Sequence, residues 1–167
     1  KVVGIMSATQ KAYEVLKLQE GEERGVSDWF QVNQAMINQF AKLTHDNQFI
    51  HLDSEKAKNE TDFSGTIAHG FLILAFSSKF ASEVLNRNTD KAVLINYGFD
   101  KVRFVHPVYC DSLIRGRFFL KRVEVNRPLQ LRQVYDLSVE IKNCDKHESN
   151  ISKKFVANAL HRTVLLL

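Results

Sequence analysis

Between Ile67 and Leu85 the sequence carries a helical stretch whose apolar residues leave almost no face for water. Ile67, Ala68, Phe71, Leu72, Ile73, Leu74, Ala75, Phe76, Phe80, Ala81, Val84 and Leu85 are apolar, and the first half is apolar nearly all round. Such a helix is buried on most sides. Ser77, Ser78 and Lys79 interrupt it, and it falls short of the roughly 20 apolar residues that a membrane span needs. The runs that follow, 92–104, 112–125, 129–142 and 152–166, read as strands. In the third, Leu137, Val139 and Ile141 face one way and Ser138, Glu140 and Lys142 the other.

Upstream, residues 10–20 read as a short helix with Tyr13, Val15, Leu16 and Leu18 as its apolar members, ended by Gly21 and Gly25. Residues 26–32 alternate apolar and polar, the mark of a strand. Asn33 caps a helix running to Leu43, with Ile37, Phe40 and Leu43 at helical spacing. Residues 46–65 hold no long periodic segment, with Ala57 in a short helical turn. One buried helix followed by long antiparallel strands, with an earlier strand to join them, predicts an α+β fold in which a sheet wraps a helix. A length of 167 residues suits one domain, 1–167, with a core of its own. Twelve Phe are many for that length, and some are expected to line a space larger than a filled core.

Cys110 and Cys144 have no metal-ligand spacing, so two thiols in a reducing, cytoplasmic compartment are expected, with no metal site. The first residues, Lys1 to Thr9, lack the apolar segment of a signal peptide, and the missing initiator Met suggests a trimmed start. Net charge is a mild +4, but Lys101, Arg103, Arg115, Arg117, Lys121, Arg122 and Arg127 make the middle of the chain locally basic. Two readings of those cations stand open: solvated strand faces that protect edges, or attraction of an anionic arm such as a cofactor phosphate. A nucleic-acid groove would want denser charge interleaved with exposed aromatics. Neither nucleic acid nor a membrane is an expected partner.

The stretch able to carry chemistry is Phe40-Ala-Lys-Leu-Thr-His-Asp-Asn-Gln-Phe-Ile-His-Leu-Asp53. Asp46 and His51 lie five apart, outside regular structure and between two helical elements. A turn of that kind can aim both side chains into one cavity. A carboxylate and an imidazole at one spot can hold a water and act as base and acid in turn. By chemistry alone, Asp46 is as readily a turn or cap residue, and His51 a satisfied half-buried histidine. His45, His106, His147 and His161 read as structural or solvated.

Phe40 to Asp53, then Ala57, then Gly65-Thr-Ile-Ala-His-Gly-Phe71, resembles the hydratase motif of MaoC-like enoyl-CoA hydratases and dehydratases. That pattern is an aromatic, Thr-Gly-Asp, Asn-Pro-Ile-His, an acidic residue two further on, and later Ala-His-Gly. Gln48-Phe49-Ile50-His51 is closest to the nodulation-protein-N-like branch, which has Gln-Trp-Ile-His there. Gly25-Val-Ser-Asp-Trp29, Ile95-Asn-Tyr-Gly98 and Lys101-Val-Arg-Phe104 extend the resemblance to roughly residues 20–125.

The resemblance implies a hot-dog fold, commonly dimeric, and reversible hydration of a trans-2-enoyl thioester to the (R)-3-hydroxyacyl form. By that likeness Asp46 and His51 are the catalytic pair, and the backbone N–H of Gly70 helps bind the thioester oxygen. Gln48 stands where an Asn helps fix the site, Phe49 keeps an apolar wall, and Phe71 follows the glycine. No cofactor is implied beyond the CoA or acyl carrier thioester of the substrate. Lys101 and Arg103 are expected near the CoA phosphates. One departure stands out: His45 replaces the family's Gly before Asp46, at a place where Gly can supply a positive φ or simply room. His tolerates positive φ better than most residues. A hot-dog thioesterase usually carries an acidic residue on the helix, and residues 67–82 contain none. A non-catalytic acyl-binding subunit is the third reading.

Overall fold

The computed structural model describes residues 8–85, 93–127, 130–142 and 153–166, the last stretch as backbone alone. Helix α1 spans Ala8–Lys17, with Tyr13 and Leu16 turned to the core, while Val15 and Leu18 are exposed. The strand expected over 26–32 is two shorter ones, β1 (Glu23–Val26) and β2 (Phe30–Val32). Ser27 explains the gap. Its N–H bonds to the Gly116 carbonyl and its hydroxyl accepts from the Gly116 N–H, so the connecting residues stay pinned to the sheet without extended pairing of their own.

Helix α2 (Gln34–Thr44) starts where the sequence puts it: the Asn33 side chain accepts from the Met36 N–H. Ile37 is buried, and Leu43 faces solvent. Two short helices follow, α3 (Phe49–Leu52) and α4 (Ser54–Glu60). Asp53 caps α4 by accepting from the Lys56 N–H, and Ala57 is fully buried. His51 therefore lies in a single helical turn and not in the irregular loop that its lack of periodicity suggests. Four residues are too few for a period to show.

The apolar helix begins at Gly70, three residues later than its hydrophobicity implies, and is bent into α5 (Gly70–Ala75) and α6 (Ser77–Leu85). At Phe76 ψ opens to −11° and the N–H is shared between the Leu72 and Leu74 carbonyls. Ile67 instead bridges Tyr109, the Ala68 N–H bonds to Val108, and the Cys110 N–H to Thr66. These bonds hold the segment before α5 in extended form.

Strands β3 (Val93–Phe104), β4 (Ser112–Arg127), β5 (Gln130–Lys142) and β6 (Lys153–Leu166) match the four long runs of the sequence. They form one antiparallel sheet in the order β1-β4-β5-β6-β3, with β2 also pairing β4. Ile114, Gly116, Phe118 and Leu120 point inward from β4. Lys121 then bulges out of register, so the next inward residue is Val123. From β5 come Leu137, Val139 and Ile141, and Leu72, Ile73, Phe80 and Ala81 of the bent helix meet them. Gly116 lets α6 sit this low on the sheet: a Cβ there would lie 2.7 Å from the Cβ of Phe80.

On the outer face, Glu140 is buried between Arg115 and Arg117, at 2.7 and 2.8 Å. Arg117 also pairs with Glu23, Lys121 with Asp136, and Arg122 with Glu124. Most of the mid-chain basic residues are thus spent on neighbouring acids. Among the described residues, no helix is long and apolar enough to cross a membrane. Cys110 is a free, half-buried thiol, pushed up by burial and by Asp111. Cys144 and His147 lie outside the described residues, and no side chain is described for His161.

Candidate active site

Three short elements converge in front of α5. Helix α2 ends in a left-handed residue, His45, at φ 60° and ψ 18°. The positive φ that a Gly would supply is present, and a histidine adopts it. That reversal turns the chain so that Asp46 follows immediately. The Gln48 amide donates to Asp46 Oδ1 at 3.2 Å. One turn later, α3 delivers His51, which is 6% exposed.

His51 is fixed on both sides. Its Nδ1 lies 2.7 Å from the Ile67 carbonyl, so Nδ1 carries the proton and Nε2 is the bare nitrogen. Its own carbonyl accepts from Gln34 Nε2 at 2.8 Å, and Gln34 Oε1 in turn accepts from the Thr66 hydroxyl. Burial pushes the His51 imidazole below its ordinary value, and the adjacent His69 adds to this; the Ile67 bond and the Asp46 charge oppose it. The net effect keeps a neutral ring near pH 7.

His69, immediately before Gly70, is the residue that the sequence reading passes over. It is 3% exposed, stacks on His51 with centroids 3.7 Å apart, and lies 5.1 Å from the Phe40 ring. Its Nε2 is 3.0 Å from the Asp46 carbonyl oxygen. One ligand-type atom from each of Asp46, His51 and His69 lies within 4.8 Å of the other two. The signal was the Ala68-His69-Gly70 triplet itself, whose glycine alone received a role. Two imidazoles and a carboxylate are also a metal donor set. Stacked rings, however, direct their in-plane lone pairs side by side rather than to one point, which suits proton handling better than chelation.

Beside His51 opens a cavity of 310 Å³, lined by Ile67, Ala68, Gly70, Ile73 and, opposite, by Phe104, Val105, His106, Pro107 and Val108. Apolar walls with few polar groups are the common form of a small-molecule pocket. Gly70 is the first residue of α5, where backbone N–H groups have no partner within the helix. Its missing side chain leaves room for Phe104, whose ring atoms would lie 2.9 Å from a Cβ there.

The other candidate residues distribute as follows. Asp46 and Gln48 adjoin His51 but do not line the cavity. Phe49 lies beneath Lys56, whose Nζ is 4.8 Å from the ring centroid. Phe71 is 71% exposed and reaches the cavity only through an edge contact with Phe104, centroids 5.9 Å apart. Lys101 and Arg103 are exposed on β3, whose end supplies Phe104.

A bent helix wrapped by a curved antiparallel sheet, with a histidine and a carboxylate set against its first turn, defines a hot-dog protein of the hydratase and dehydratase kind. The chain belongs to the MaoC-like domain family, which matches residues 17–141. It is 45% identical over 126 residues to nodulation protein N of Rhizobium meliloti, covering 75% of this chain and 78% of that protein. Over 104 residues it is 41% identical to 3-hydroxyacyl-thioester dehydratase Z of Mycobacterium tuberculosis, covering 62% and 68%. A solved structure of an Archaeoglobus monoamine oxidase regulatory protein superposes with a TM-score of 0.71 at 25% identity, covering 89% of this chain and 90% of that one. The fold alone is shared with an (R)-hydratase from A. caviae involved in PHA biosynthesis, at a TM-score of 0.64, 17% identity and coverage of 89% and 96%.

Proposed function

We propose that this protein adds water across the double bond of a trans-2-enoyl thioester, or removes it from the (R)-3-hydroxyacyl thioester. The observation that carries the reading is the bare Nε2 of a neutral His51, with the Asp46 carboxylate beside it, at the wall of a cavity that also exposes Gly70. In the hydration direction a water held between the two side chains gives its hydroxyl to C3, and a proton is delivered to C2. In dehydration the same groups take and return those protons in the reverse order. Negative charge develops on the thioester oxygen in between. An unpaired N–H at the start of α5 is a suitable donor to it, and removing such a donor typically costs about 3 kcal/mol. The dehydratase among the relatives acts on 3-hydroxyacyl thioesters by its name, which supports the same class of substrate here.

Gln48 holds the Asp46 carboxylate, and Phe49 and Phe71 are assigned to contact with the substrate. Lys101 and Arg103, exposed on the strand whose end supplies Phe104, are assigned to the phosphates of CoA or of an acyl carrier arm. We assign the protein to the cytoplasm as a homodimer. The test is hydration of a short enoyl-CoA by the wild type, Asp46→Asn, His51→Ala and the double variant, with thermal midpoints. Each single variant is expected to lose at least about 10²-fold in turnover, and the double variant little more. Folded variants keeping more than about a tenth of wild-type turnover overturn the assignment, given the usual size of acid–base contributions. Release of free CoA without hydration would point to a thioesterase, and neither reaction to an acyl-binding subunit.

A further inference from the structure

We propose that His69 is a positioning residue of this site: its Nε2–H, bonded to the Asp46 carbonyl, locks the turn that carries Asp46 against the His51 ring. The inference rests on Asp46 and His51 being the reacting pair, and it goes beyond that reading by naming what sets the distance between them.

The need for a lock follows from the local chain. His51 is held by its own bonds, through Nδ1 to Ile67 and through its carbonyl to Gln34. Asp46 comes directly after the left-handed end of α2, where the helical ladder has stopped and a non-glycine residue occupies a strained conformation. The Gln48 amide steadies the carboxylate from within the same turn, and the His69 bond ties the backbone of that turn to the ring stacked on His51. That bond joins the Asp46 backbone to the residue that precedes Gly70, and the stacked ring sets the plane of His51. Asp46, His51 and Gly70 thereby become parts of one rigid unit.

A packing role alone does not account for the side chain. His69 is 3% exposed and its Nδ1 is buried without a hydrogen-bond partner in the structure. An apolar residue wedged between Phe40 and His51 would fill the place without burying that nitrogen. What histidine adds here is the Nε2–H, and the Asp46 carbonyl receives it.

Two substitutions separate the lock from the packing. His69→Phe keeps an aromatic ring on His51 but has no donor. His69→Gln gives up the stack but carries an Nε2–H that can reach the same carbonyl. With an enoyl-CoA as substrate, the Phe variant is expected to lose about 10²-fold in kcat, the size of effect that a misplacement near 1 Å produces. Its KM is expected to change less than about threefold, because binding is held elsewhere. The Gln variant is expected to turn over at least about tenfold faster than the Phe variant, since one such factor is what a restored geometry of roughly 1.4 kcal/mol gives.

The idea is overturned if the Phe variant works as well as the wild type, or if Gln is no better than Phe at equal folded fraction. Should either variant fail to fold, long-range 15N–1H spectra of the wild type decide: they are expected to place the proton on Nε2 of His69 and on Nδ1 of His51. A proton on Nδ1 alone of His69 removes the lock. A wild type that hydrates no enoyl thioester defeats the proposed reaction itself, whereas an active wild type with indifferent variants defeats only His69.

Discussion

His45 shows what a single dihedral angle can demand. The chain must reverse after α2, and it does so at φ 60° with a histidine in place of the glycine seen in the related motif. His45→Gly is expected to change the unfolding free energy by less than about 1 kcal/mol, because relief of the left-handed strain offsets the extra freedom of the unfolded chain. His45→Val, β-branched and intolerant of that region, is expected to lower it by about 1–2 kcal/mol. Denaturant midpoints of the two variants check this, and a valine variant as stable as the wild type would refute it. His51 makes a second prediction at this scale. Its folded value is depressed, so the neutral base persists as pH falls through the ordinary histidine range. The acid limb of kcat/KM is expected to have its midpoint below about 6.5. A midpoint at or above that value would mean a different group limits the rate. That Asp46 and His51 would meet, with Gly70 on the wall beside His51, was legible in the sequence because their spacing matches a known motif. That His69 joins them was not, because its contacts are to a main-chain carbonyl and a stacked ring, and neither has a signature in linear spacing.

At the scale of elements, β4 and β5 carry an ion cluster that alternation hides. Glu140 falls on the outer face, as its phase predicts, yet it is 1% exposed because Arg115 and Arg117 close over it. Arg115 lies in turn against the Trp29 ring, 4.4 Å from its centroid. Burial pushes the Glu140 carboxyl up, and the two arginine bonds outweigh it, so its value is lowered in the folded state. A lowered carboxylate contributes stability that is present above its unfolded value, near 4.5, and is lost as pH falls through the folded one. Glu140→Ala strips Arg115 of its carboxylate and leaves Arg117 with Glu23 alone, and is expected to cost about 3 kcal/mol at neutral pH, the low end for breaking a buried pair. Below pH 4 the gap between variant and wild type should narrow, and a constant gap from pH 7 down to pH 3 would argue that packing alone is at stake. The long strands and the capped α2 were readable because period and cap repeat over ten residues or more. The split at Ser27 was not, since it is decided by bonds to Gly116 far along the chain; the bend at Phe76 is a local change of ψ, and the single turn of α3 is too short for a period to show.

For the whole molecule the open question is the outer side of β3. Among the described strands it pairs with β6 alone, and Val93, Ile95 and Tyr97 stand exposed along it, with Phe71, Phe104 and Val105 at its far end. An apolar edge left bare is a pairing site, and a closed two-fold dimer is the usual way to cover one. Light scattering at micromolar concentration is expected to give twice the chain mass, and Ile95→Lys to shift it toward the monomer. A wild-type monomer would remove the assignment. The strand order has a further consequence, in time rather than in space. β4, β5 and β6 follow one another closely along the chain, so these three can zip locally. β3 must wait for a strand some sixty residues further along, as the pairing of Val102 with Ala159 shows. Closing so long a loop is slow before contacts reward it. During synthesis the apolar helix and the cavity wall at Phe104 therefore emerge well before the strand that secures them. Until β6 arrives, the newborn chain displays the same greasy edge that two finished copies are expected to hide in each other.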